Sequence, residues 1–294
     1  MPYDSRRLLQ GAYDLHVHAA PDVVPRAQDL PALLRDARAA GMAGLLVKDH
    51  TGSTAGAAYT AQLACPDGPR LFSAICLNPP VGGVNPLAAE AALREGASVV
   101  YLPTYGAQHQ IAVKGPDAFA AAFPRPQGFG GIAVLDEAGR LRPEVLEVLA
   151  LVAAHDAVLA TGHISPREAL AVLEAARARG ARRLLVNHVS EAVPGMSVAE
   201  QRQAVRHGAL IEHCLLALVP SPSHQVTAGD MAAQIRAVGV EHVVVSSDFG
   251  QAANGPVVAA FARYLGQLQA EGFADDEMRL MIRDNPRRLL ADGR

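Results

Sequence analysis

Eight short, largely apolar runs recur along the chain: Ala12–His18, Ala43–Lys48, Leu71–Leu77, Ala97–Leu102, Ala157–Gly162, Arg182–His188, Gly208–His213 and His242–Asp248. In most of them the apolar residues are consecutive rather than alternating, as in LLV, VVYL, RLLV and VVV. A strand of that kind is buried on both faces, which is the situation in a parallel sheet covered by helices. Helical patterns lie between the runs. Asp29–Ala40 carries Leu30, Leu33, Leu34 and Ala37 at helical spacing and stops at Gly41. Pro143–Ala154 and Pro256–Gln269 each carry one apolar stripe. Ser165-Pro166-Arg167-Glu168 and Ser197–Glu200 have the capping-box pattern that starts a helix. Eight strands alternating with helices imply an α/β chain folded as a (β/α)8 TIM barrel, one domain over residues 1–294. A doubly wound open sheet is the main competitor, and the first strand is not followed by the GxGxxG fingerprint.

One stretch breaks the rhythm. Residues 103–142 hold Pro103, Pro116, Pro124 and Pro126 with many glycines and no clean helical stripe. The segment reads as an inserted loop region after the fourth strand, either a lid or substrate loop or a plain surface excursion. Ile132–Asp136 and Arg140–Arg142, joined through Glu137-Ala138-Gly139, read as a small hairpin within it.

Composition narrows the function classes. The net charge is −3 and the charges do not run in blocks, so neither nucleic acid nor a membrane surface is an expected partner. The three cysteines, Cys65, Cys76 and Cys214, form no CxxC pair, which fits a reducing compartment. With no signal-peptide pattern and no apolar run of spanning length, a cytoplasmic location is expected. The expected partner is a small-molecule substrate, and a homo-oligomer is compatible with the sequence. Of 26 basic residues only Lys48 and Lys114 are lysines. Lys48 therefore stands out as a position where arginine would not serve.

The chemistry lies at the ends of the runs. His16 and His18 are two residues apart in Tyr13-Asp14-Leu15-His16-Val17-His18, so on a strand they share a face. His163 directly follows the fifth run, His188 ends the sixth and Asp248 the eighth. In a parallel barrel the carboxyl ends of all strands lie on one rim, so four imidazoles and a carboxylate would converge there. That set suits a divalent metal, zinc foremost, with manganese, nickel and iron as alternatives. Tyr101, Thr104, Tyr105, His109 and His213 are candidates for lining a substrate pocket, and His224 is a loop residue with the same reach. His155, His207 and His242 read as structural.

The ordered set HxH, Thr161-Gly162-His163, Asn187-His188 and Ser246-Ser247-Asp248 resembles the amidohydrolase superfamily. In outline it is similar to the phosphotriesterase-like and TatD-like branches. The ending Asp284-Asn285-Pro286-Arg287-Arg288-Leu289-Leu290 resembles the NPA-x-LL close of many members. The resemblance implies that His16, His18 and Asp248 bind one metal, and that His163 and His188 bind a second or share the first. Binuclear members add a bridging carboxylated lysine or glutamate from the fourth strand, and Val99–Thr104 offers neither. Lys48, with His50 two residues on, is one replacement. The other arrangement is a single metal on His16, His18, His163 and Asp248, with His188 left to polarise the substrate. The implied reaction is hydrolysis of a small amide, lactone or ester by a metal-activated water, with Asp248 handling the proton and the metal or His188 polarising the substrate. Deamination or decarboxylation on the same scaffold, and a barrel that binds a metal or ligand without turnover, are the alternatives.

Overall fold

The computed structural model describes residues 5–116, 128–221 and 226–290. All eight expected strands form: β1 Tyr13–Val17, β2 Gly44–Val47, β3 Arg70–Cys76, β4 Val99–Tyr101, β5 Val158–Ala160, β6 Arg183–Val186, β7 Ala209–Cys214 and β8 Val243–Ser246. The helices are α1 Leu30–Ala39, α2 Ala55–Ala64, α3 Pro86–Arg94, α4 Gln108–Lys114, α5 Pro143–Ala154, α6 Pro166–Ala178, α7 Val198–Arg206, α8 Ala228–Val238, α9 Val257–Gln269, α10 Asp275–Arg279 and α11 Asn285–Leu290. The strands take the order β1 to β8 in one sheet, with a helix between each strand and the next. This is the (β/α)8 topology.

The chain divides into two compact units whose boundaries cut through β3 and β7. The first comprises Met1–Lys48, Gly56–Phe72 and Glu212–Arg294. In it β1 pairs in parallel with β2, through Tyr13↔Gly44, Asp14↔Leu45 and Val17↔Val47, and the register shifts between Asp14 and Val17. Gly44 must be glycine, since a Cβ there would lie 2.5 Å from the Tyr13 ring. β8 meets β1 at their carboxyl ends: Asp248 N–H donates to His16 O at 2.8 Å and His18 N–H to Phe249 O at 2.9 Å. Every residue of β1 and of β8 is buried. Asn285 of the C-terminal motif is buried as well and donates to Val240 O and Val243 O, tying α11 to the start of β8.

The second unit comprises Asp49–Ala55 and Ser73–Ile211. β3 to β7 run parallel in it, aligned through Ala74↔Val99↔Val158↔Arg183 and Leu184↔Ala209. α6 and α7 begin with the expected capping boxes at Ser165/Glu168 and Ser197/Glu200. Within 103–142 the hairpin forms, with Leu135 bridged to Leu141 and Asp136 N–H donating to Arg140 O. The segment also holds α4, a helix absent from the sequence reading. Only Gln110 of α4 is buried and its N-cap Ala107 makes no side-chain bond, so it lacks both the apolar stripe and the cap by which a helix is recognised. Residues 117–127, with Pro124 and Pro126, lie outside the described residues, as does His224. Among the described residues no helix is long and apolar enough to cross a membrane.

Candidate metal centre

The first unit brings together four of the residues singled out from sequence: His16, His18, Lys48 and Asp248. The ring nitrogens of His16 and His18 and a carboxylate oxygen of Asp248 lie within 4.8 Å of one another, all three side chains buried. Asp248 Oδ1 is 3.3 Å from His16 Nε2 and 3.1 Å from His18 Nε2. The register shift in β1, between Asp14 and Val17, takes in His16, and Asp14 braces the strand there, accepting at Oδ1 from His16 N–H and Ser247 N–H. Burial pushes the Asp14 carboxyl up to about 7. Asp248 itself has φ 54, a left-handed conformation that aspartate tolerates better than most residues. Gly250 comes so close to β1 that a Cβ on it would sit 2.2 Å from His18 O.

The two imidazoles are held differently. His16 Nδ1 faces Glu212 Oε2 at 3.2 Å, with both side chains fully buried. A carboxylate only accepts, so the ring proton is on Nδ1 and the lone pair on Nε2. That lone pair is 2.9 Å from Lys48 Nζ. Cys214 Sγ stands 3.7 Å from the same Nδ1. His18 Nδ1 instead faces Arg26 Nη2 at 3.3 Å. A guanidinium only donates, so His18 Nδ1 accepts and Nε2 carries the proton toward Asp248. Burial lowers both imidazoles, with Lys48 adding to the effect at His16, and His18 is pushed down to about 3. Both rings are therefore neutral, the form that ligates.

In the second unit His163 and His188 form a pair, ring centroids 4.9 Å apart and edge to face. Nδ1 of His163 lies 3.1 Å from Gln110 Oε1, and Nδ1 of His188 lies 2.9 Å from Glu191 Oε1. Both contacts direct Nε2 away from the supporting oxygen in the ligating tautomer. His188 has φ 56, so it shares with Asp248 a strained backbone at the end of a strand. Gly162, just before His163, has φ 62 and no room for a Cβ, which would lie 2.3 Å from Leu102 O.

The remaining candidates take separate places. His50 Nδ1 is 2.9 Å from Thr104 Oγ1, and that oxygen also accepts from Asn78 Nδ2. The His50 ring stacks edge-on against Tyr105, 5.3 Å between centroids. His109 donates from Nε2 to Pro194 O at 3.0 Å. Tyr101 is wholly buried in β4. In the first unit His213 is wholly buried too, and burial pushes it down to about 3. His155 and His207 are the C-caps of α5 and α7.

Sequence reasoning passed over the supporting residues. Glu212 had a visible signal, a lone carboxylate inside the apolar run Ala209-Leu210-Ile211-Glu212. Glu191, three residues after His188, had a weaker one. Gln110, Asp22 and Arg26 had none, since their partners are distant in sequence or the segment has no periodicity.

Comparison with solved structures gives the same fold over nearly the whole chain. An amidohydrolase from Pseudomonas aeruginosa superposes with a TM-score of 0.67 at 13% identity, covering 98% of this chain and 97% of that one. The probable dipeptidase PvdM from the same organism gives 0.67 at 11% identity, covering 98% and 96%. A 2,6-dihydroxybenzoate decarboxylase, solved with 2,6-dihydroxybenzoate, gives 0.59 at 12% identity, covering 96% and 99%. At such identities the likeness establishes the fold. No curated protein matches the chain in sequence. The model of one sequence family matches residues 11–212, so this chain, with the barrel fold of the amidohydrolases, belongs to the family described as a family of unknown function, DUF6282.

Proposed function

We propose that the protein is a metal-dependent hydrolase acting on an amide, lactone or ester of a small molecule. The observation that carries this reading is the buried triad in which His16, His18 and Asp248 bring two neutral imidazoles and a carboxylate within ligating reach of one another. The donor set is the kind that zinc and similar ions take, and Glu212 behind His16 is the supporting carboxylate such sites use. The ordered likeness to amidohydrolases in both motif and fold supports the same reading.

One divalent ion, zinc by preference, is proposed on His16, His18 and Asp248, with His163 and His188 proposed from their motif order as further ligands or substrate-polarising groups. A bound ion of this class lowers the pKa of its water from 15.7 to about 7. With such an ion held by His16, His18 and Asp248, Asp248 Oδ1, which lies 3.1 Å from His18 Nε2 and 3.3 Å from His16 Nε2, would take the proton from the water and return it to the leaving group. His16 is kept in its ligating tautomer by Glu212. Residues 103–142 are proposed as the substrate loop.

The test is elemental analysis of the purified protein together with Asp248→Asn. Expected are about one metal per chain and a turnover, found by screening lactones, amides and cyclic ureides, that this variant loses. Protein without metal that gains none on incubation with zinc, manganese, nickel or iron would sink the reading.

A further inference from the structure

The loop after β1 places a buried arginine against the centre, and nothing in the reaction proposed above uses it. Arg26 and Asp22 have side chains 5% and 1% exposed. Asp22 Oδ2 accepts from Arg26 Nε at 2.7 Å and from Nη2 at 2.6 Å. The same Nη2 also meets His18 Nδ1 at 3.3 Å. The loop is tied to the chain after β8: Arg26 is bridged to Gln251, and Ala27 N–H donates to Gly250 O at 2.8 Å, close in sequence to Asp248. Asp22 occupies the Nε/Nη2 side of the guanidinium, which leaves the Nη1/Nη2 edge as the forked face that matches a carboxylate.

Arg26 and a ligating His18 compete for one proton position. An Nη2 hydrogen bond needs His18 Nδ1 as an acceptor, so the ring proton sits on Nε2. For His18 Nε2 to ligate, that proton must move to Nδ1, where it faces the Arg26 N–H and the bond is lost. The charge on Arg26 remains, on a side chain 5% exposed, with one Nη2 hydrogen released beside Nη1.

We infer that Arg26 is the substrate-anchoring residue of this centre, taking a carboxylate group on its free fork, and that loading of the centre through His18 arms it. The inference rests on the metal reading above and adds to it a substrate class, a small carboxylate-bearing molecule, and an order, metal before substrate.

The experiment uses the full chain, with zinc as the metal and benzoate as the carboxylate probe. Nitrogen-15 spectra of histidine-labelled protein are expected to show His18 Nδ1 unprotonated before zinc and protonated after it. Calorimetry is expected to show benzoate binding about tenfold more tightly to zinc-loaded than to metal-free wild type, roughly the worth of one charge-assisted hydrogen bond. Arg26→Met should lose that gain while still taking up zinc. Should Arg26→Met fail to fold, with Asp22 left unpaired, Asp22→Asn/Arg26→Met provides the same comparison, and the wild-type spectra test the proton position without any variant. A His18 Nδ1 that already carries the proton without metal, or a zinc-dependent gain in benzoate affinity that survives removal of the guanidinium, overturns the inference and leaves the metal reading standing. A protein that takes up no zinc overturns both.

Discussion

Glu212 Oε2 lies 3.2 Å from His16 Nδ1, and neither side chain has any exposure to solvent. A buried carboxylate spent on a ring nitrogen sets the tautomer of that ring and raises its basicity as a ligand. Replacing it should therefore be felt at the metal. Glu212→Gln keeps an acceptor but not the charge, and is expected to weaken zinc binding by about 10–100-fold. Competition with a chromogenic chelator measures this directly, and an unchanged affinity would mean that His16 does not ligate.

Lys48 presents the opposite case. Its Nζ donates into the His16 lone pair that a metal would take. Lys48→Met removes that rival and is expected to raise zinc affinity by about tenfold, the worth of a charge-assisted bond. A variant that instead loses part of its metal would show that Lys48 is a carboxylated bridge.

The buried His213 gives a pH signature. Its folded value of about 3 lies below the ordinary 6.5 because burial disfavours the charged ring. The unfolded chain takes up a proton at this residue below 6.5 that the folded chain refuses until about 3. Its contribution is thus fully present above 6.5 and is lost as pH falls through the interval down to 3, with a limiting slope of about 1.4 kcal/mol per pH unit. Urea unfolding of His213→Gln between pH 7 and 4 should show a shallower acid loss than wild type. Parallel curves would exclude a neutral His213.

Two capping boxes allow an internal comparison. Glu168 of α6 is buried and accepts at Oε2 from Ser165 and at Oε1 from Val134 N–H, so it also fastens the hairpin. Glu200 of α7 caps Ser197 alone at the surface. Glu200→Ala is expected to cost about 1 kcal/mol, and Glu168→Ala about 2–3 kcal/mol because a buried N–H loses its acceptor as well. Equal shifts in thermal midpoint would contradict the second role of Glu168.

Gly250→Ala should be severe despite its small size. The added methyl meets His18 O at 2.2 Å, both backbone groups being fixed, and φ 140 is strained for alanine. The expected result is loss of zinc binding before loss of fold, read by metal content and circular dichroism on the same sample.

Much of this was legible in the chain itself. β8 and β6 announce themselves because parallel strands covered on both faces need unbroken apolar runs, and Val243-Val244-Val245 and Leu184-Leu185-Val186 supply them. Asp248 was legible because it ends such a run, and His16 and His18 because their two-residue spacing puts them on one face of a strand. Lys48 was legible through the scarcity of lysine. Arg26 and Asp22 were not, since a loop has no period and their meeting with His18 depends on the chain returning at Gly250 and Gln251. α4 was missed because only one of its side chains is buried, so burial leaves almost no pattern in its sequence.

The left-handed turn at Asp248 has a bearing on which carboxylate can serve there. At φ 54 a short side chain that can hydrogen-bond locally is tolerated, while a longer or branched one is strained. Glutamate would match aspartate in charge and in donor atom, and asparagine would match it in shape. Aspartate alone satisfies both demands, so the backbone torsion restricts the inventory of ligands before any ion arrives, and the path of the polypeptide becomes part of the selectivity of the centre.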